Sequence, residues 1–178
     1  MAIRPIRMYP DPVLREPATP VSVVDDSVRR LARDMTETMI AAPGVGLAAP
    51  QVGVQRRVVV YRVGEEDEIH TLVNPEIVSS SGEQTDDEGC LSIPGLAYPV
   101  TRAMNVTVKA IDLDGEEVSI DAVELEARVI QHEIDHLDGV LFIDRIDDEL
   151  RREARRILRE RALNGTPTPQ PRTPAARI

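Results

Sequence analysis

Residues 132–136 read His-Glu-Ile-Asp-His, and this short run constrains the chain more than any other. Two His at i and i+4 share a face on an α-helix, with their rings about one turn apart. The surrounding run, from about Glu124 to Leu137, reads as that helix, and Gly139 supplies its end. Two imidazoles so placed suit a tetrahedral metal site. Glu133, between them, is then positioned to work as general base on a water at that metal.

A catalytic site of this kind needs a third protein ligand. The longer motif that adds a downstream His after the same Gly has its Gly here at 139, but its third His falls on Phe142. Glu149 and Glu153 are conceivable, at the start of an amphipathic run. Cys90, the chain's only thiol, lies in Glu-Gly-Cys-Leu-Ser (88–92). A thiolate is a strong ligand for a divalent metal, and coordination lowers its pKa.

The pattern around these residues predicts an α+β fold. Ile3 to Val23 is Pro-rich and reads as an extended arm. Asp25 or Asp26 can cap a helix that places Val28, Leu31, Ala32, Met35 and Met39 on one face, with Pro43 and Gly44 to stop it. Residues 44–53 read as a close-packed loop. Strands are expected at 54–63, 69–73 and 76–81, with a turn at Gly-Glu-Glu-Asp-Glu (64–68). Residues 87–95 read as loop-like with a short apolar centre. Residues 106–120 alternate around an Asp-Gly turn at 114–115, a hairpin. A last helix, about Asp147 to Leu163, sets Leu150, Ala154, Ile157 and Leu158 on one side. The expectation is one compact domain over 1–163, with antiparallel sheets around the helix that carries the paired His and a C-terminal helix after it. Residues 164–178, with four Pro and no periodicity, read as a disordered tail.

Composition narrows the function. The chain has 178 residues, and with 2% aromatic residues and no Trp it offers no stacking platform for single-stranded nucleic acid. Its net charge of −10 argues against coating phosphate backbones over the whole surface. One Cys cannot form an internal disulfide. No apolar signal segment opens the chain, and no run approaches a membrane span. A cytoplasmic protein is expected. Charge is uneven, however: residues 151–178 hold eight Arg against two acids, so the first 150 residues carry −16.

Gly-Val-Gly-Leu-Ala-Ala-Pro-Gln (44–51), Glu-Gly-Cys-Leu-Ser (88–92) and Gln-His-Glu-Ile-Asp-His (131–136), in this order and spacing, resemble the three signature motifs of the peptide deformylases. The segments Tyr9–Val21 and Leu137–Arg145 are also similar, and the likeness runs from about residue 3 to 163. It implies a compact α+β metallohydrolase that removes the formyl group from the initiator Met of nascent polypeptides and releases formate. Carried onto this chain, Cys90, His132 and His136 would ligate one metal ion, with water or hydroxide in the fourth position. The resemblance implies Fe²⁺ in the cell, with Zn²⁺, Ni²⁺ or Co²⁺ possible after purification. Glu133 would move the proton, and Gln51 and the backbone N–H of Leu91 would hold the oxyanion. Val45 and Gly46 would meet the substrate backbone. Leu125 and Val129, on the face of His132, suit the Met side chain, with Arg128 at the rim. Asp135 would orient a ligand or pair with Arg102. Some relatives bind the ribosome through a C-terminal helix, a role that the Arg-rich helix 147–163 would suit. Two rivals explain less: an endopeptidase accounts for the paired His alone, and a metal-stabilised binding module leaves Glu133 and Gln51 without a purpose.

Overall fold

Continuous apolar runs between turn signals demand burial on both faces, and the Val-Val-Val-Tyr stretch at 58–61 obtains it. It forms β2 (Val58–Arg62) inside a five-stranded antiparallel sheet. The computed structural model describes residues 2–63 and 68–164. The expected turn at 64–68 therefore lies largely outside the described residues, as does the expected tail beyond Asn164. The sheet order is β1 (Gly46–Ala48), β2, β3 (Ile69–Ser81), β6 (Asn105–Ile111) and β7 (Glu117–Val123), which leaves β1 at an edge.

One helix covers each face of the sheet. α1 (Asp26–Ala41) is capped by Asp25, whose side chain accepts from the N–H groups of Ser27 and Val28. Val28, Leu31, Met35 and Met39 of α1 pack on Val58, Val60 and Val73. Side chains alternate along a strand, so Val59 and Tyr61 face the other way. They meet Ala127, Val129, Ile130 and Ile134 of α2 (Glu124–Leu137). The helix bearing the paired His is thus central, as its sequence requires.

The expected strands at 69–73 and 76–81 are one strand, β3. A register shift between Val73 and Glu76 absorbs Asn74, which takes a positive φ of 51°. The Asn74 side chain accepts from the Val21 N–H and donates to the Val21 carbonyl, both at 2.8 Å, and so ties the N-terminal arm to the sheet.

The loop expected at 87–95 is instead the tip of a hairpin, β4 (Gln84–Cys90) with β5 (Ile93–Arg102). A two-stranded sheet has only edge strands, so β5 tolerates Pro94 and Pro99. The exposed Asp86 and Asp87 hide its pattern further. The hairpin packs with Leu14, Leu141, Phe142 and Ile143 and with Ala154 of α3 (Asp148–Asn164). No helix among the described residues is long and apolar enough to cross a membrane.

Candidate active site

Cys90 ends β4, and His132 and His136 lie one turn apart on α2. The fold brings one ligand atom from each to within 4.8 Å of the others, all three residues buried. Cys90 Sγ lies 3.2 Å from His136 Nε2. His132 Nδ1 lies 3.0 Å from a Glu88 carboxylate oxygen, which places its proton there and leaves Nε2 bare. That buried Nε2 has no hydrogen-bond partner among the described residues.

Glu133 is the second orphan. It is fully buried, and neither carboxylate oxygen finds a partner among the described residues. Burial first, and then the charge of Glu88, push its carboxyl well above the usual range, against the pull of Arg102. Burial, helped by His132 and Arg102, pulls His136 well below an ordinary imidazole. Burial pushes the Cys90 thiol up to about 12, against the N–H of Ser92. A thiol, two imidazoles and an unpartnered buried carboxylate fit a divalent first-row metal better than they fit a dry core.

Glu88 stands in the Cys90 motif, but nothing local in the sequence marks its role. Burial works against its charge, but hydrogen bonds from Arg102 and His132 outweigh it and hold the carboxyl well below the usual range. Arg128 joins them, and here the rim expectation is corrected. Arg128 is 3% exposed and donates to Glu88 at 2.7 Å and to the Val100 carbonyl at 3.0 Å. Helical periodicity gave its face but could not show that a buried carboxylate waited there. The expected Asp135–Arg102 pair is present at 2.6 Å.

Gln51 is buried, and its side-chain oxygen accepts the Ala48 N–H at 2.8 Å. That contact orients the amide, so Nε2 faces Ser92 Oγ at 3.2 Å and Cys90 Sγ at 3.6 Å. Leu91 follows Cys90 in the hairpin turn. Gly46 opens the edge strand β1 and Val45 lies just before it, with the Val45 carbonyl accepting from the Arg62 N–H. Val129 is fully buried on the sheet, whereas Leu125, one turn before it, is 43% exposed.

Two glycines make room for this arrangement. A Cβ on Gly44 would sit 2.8 Å from Leu91 Cδ1, a flexible tip. A Cβ on Gly46 would overlap Glu133 Oε1 and sit 2.9 Å from its Cδ, which leaves that carboxylate nowhere to stand. Gly46→Ala is expected to fold and to bind metal, yet to lose roughly 10²-fold in kcat/KM through the displaced Glu133. Peptide kinetics beside metal content check this, and parent-like kcat/KM would show that Glu133 can shift without cost.

The comparisons agree with this geometry. Residues 3–152 match the family model described as polypeptide deformylase. The chain is 54% identical over 160 residues to the peptide deformylase of Acidothermus cellulolyticus, covering 90% of this chain and 88% of that protein. It is 53% identical over 154 residues to that of Natranaerobius thermophilus, covering 86% and 98%. A crystal structure of a peptide deformylase from Legionella pneumophila aligns with a TM-score of 0.84 and 47% identity, over 93% of this chain and 100% of that one. The peptide deformylase from Ehrlichia chaffeensis in complex with actinonin aligns at 0.86 and 37% identity, over 90% and 98%. By sequence, fold and the residues gathered at its centre, this chain belongs to the polypeptide deformylase family, whose members remove the N-formyl group from nascent peptides.

Proposed function

We propose that Cys90, His132 and His136 hold one metal ion, Fe²⁺ in the cell, and that Glu133 is the proton carrier of the deformylation carried out beside it. The supporting observation is the pairing of a Cys-His-His set with a buried carboxylate that has no other partner among the described residues. Purified protein would carry Fe²⁺ or a substitute such as Zn²⁺, Ni²⁺ or Co²⁺, since a Cys-His-His set does not select iron by affinity. The metal supplies Lewis acidity, which makes water a stronger acid and polarises the formyl carbonyl.

The chain's own residues do the rest. Glu133 takes a proton from the water that attacks the formyl carbon. As the C–N bond breaks, it returns that proton to the departing amine, and formate leaves. Gln51 Nε2 and the Leu91 N–H are the oxyanion donors, and the Ala48 contact that fixes the Gln51 amide supports that role. The backbone at Val45 and Gly46, on an edge strand, pairs with the extended substrate. Val129 and Leu125 form the wall for the Met side chain, with Leu125 at its open end.

Residues 1–163 act as the catalytic unit, in the cytoplasm where nascent chains emerge. The basic helix meets the ribosome. Arg151 and Arg161 donate to carbonyls of the body, and Arg156 pairs with Glu160 at 3.0 Å, while Arg152, Arg155 and Arg159 are exposed on the same helix. Its test is co-sedimentation with ribosomes that falls with salt and vanishes without residues 147–178; binding that survives either change overturns it.

The deciding experiment measures amine release from a formyl-Met peptide by protein prepared without oxygen and reconstituted with Fe²⁺. Rapid deformylation, with an unformylated twin left intact, is expected. Cleavage of the twin would make the chain a peptidase. Silence on both, with metal bound, would make it a binding module.

A further inference from the structure

The three metal-facing residues belong to two separate packing units. Cys90 lies in the apolar cluster of Leu14, Ile93, Tyr98, Val100 and Phe142, which holds the β4–β5 hairpin on α3. His132 and His136 stand on α2, whose apolar residues pack on the five-stranded sheet instead. The hairpin's cluster contains no residue of α2, and across the divide Phe142 lies against the ring of His132 with centroids 6.3 Å apart. Packing within either unit therefore does not dictate how far Cys90 stands from the imidazoles. A metal site tolerates only about 0.2 Å of error in its ligand distances.

Charge joins the two units. Glu88 of β4 accepts from Arg128 of α2 at 2.7 Å and meets His132 at 3.0 Å. Arg102 of β5 donates to Asp135 of α2 at 2.6 Å. Within the hairpin, Arg102 grips both oxygens of Glu88, at 2.8 and 2.9 Å. At the outer end Arg145 donates to both oxygens of Asp135, at 3.1 and 2.6 Å. Glu88, Arg102, Arg128 and Asp135 are all buried.

We propose that this buried carboxylate–guanidinium network is a staple that fixes the hairpin against α2 at the spacing the metal needs, with Asp135 and Arg102 as positioning residues that act on His132 through Glu88. The inference rests on the metal-centre reading above and extends it from the ligands to the groups that set their separation. Two-pronged Arg–carboxylate contacts fix an angle as well as a distance, which apolar contacts do not. Buried ion pairs add little net stability compared with apolar packing, so a geometric role accounts for five charged side chains at one seam. Each carboxylate is shared between cations on different elements, and displacing one link moves the next.

The test uses full-length protein loaded with Co²⁺, read by its visible spectrum and by the rate of Co²⁺ transfer to excess chelator, neither of which depends on catalysis. Asp135→Asn keeps the shape and removes the charge that Arg102 and Arg145 grip. The folded variant is expected to release Co²⁺ roughly tenfold faster, with shifted bands, and Glu88→Gln up to about 100-fold faster. Because both act along one path, the double variant should release metal no faster than Glu88→Gln alone. Parent-like release and bands in folded Asp135→Asn, or rates that multiply in the double variant, would overturn the staple. If Asp135→Asn does not fold, Arg145→Gln at the half-exposed end serves: a few-fold faster release supports the staple, and parent-like release overturns it. A parent protein that binds no Co²⁺ would overturn the metal centre itself, whatever the variants do.

Discussion

Glu133→Gln is expected to lose about 10³-fold in kcat while binding one metal ion per chain and melting no lower than the parent. The amide matches the carboxyl in shape but cannot take a proton from water and hand it to an amine. Its cost to the fold is small because neither Glu133 oxygen has a hydrogen-bond partner among the described residues, so no native bond is broken. Three measurements separate the outcomes: kcat on a formyl-Met peptide, metal content and the melting temperature. Turnover within about tenfold of the parent would place the proton-carrying role on another group. Loss of metal together with activity would make Glu133 a structural part of the site instead.

What the sequence discloses of this site is what local spacing can encode. The paired His need only a helix, and the helix shows in its own periodicity. Asp25 could be read as a cap because a cap acts within its own turn. Glu88 could not, because its partners Arg102, Arg128 and His132 lie 14, 40 and 44 residues away and meet it only in the finished fold. Arg128 reads as a rim residue for the same reason, since the carboxylate that holds it inside lies 40 residues away. The hairpin is hidden in the sequence because a two-stranded sheet does not impose the alternation that burial on one face requires, and β4 carries Asp86 and Asp87 where apolar residues would mark a strand. β3 reads as two strands because its bulge at Asn74 interrupts the period. The Gly46 loop was legible as close-packed, but what it packs against, the Glu133 carboxylate, was not.

Cys90→Ala is expected to strip the protein of metal, because the thiol is the one ligand that the helix cannot replace. Buried and pushed up to about 12, Cys90 is a neutral thiol at neutral pH until a metal displaces its proton. Uptake therefore releases a proton, and the parent's affinity should fall about tenfold for each pH unit below neutrality from this group alone. The Ala variant should lose that part of the pH dependence. Its affinity should drop by more than the roughly 10–100-fold that follows from disturbing a group that only orients a ligand. Metal content after a chelator challenge at several pH values reads both effects, and deformylation should vanish with the metal. The apolar cluster around Cys90 loses one sulfur atom, so a melting shift worth about 1 kcal/mol is expected rather than unfolding. A Cys90→Ala protein that keeps its metal would reopen the choice of third ligand. From the sequence alone, Glu149 and Glu153 are conceivable alternatives to Cys90. The fold sets Glu149 in the first turn of α3 and has Glu153 accept the Tyr98 hydroxyl at 3.2 Å, while among the described residues Cys90 joins the two His in the buried ligand group.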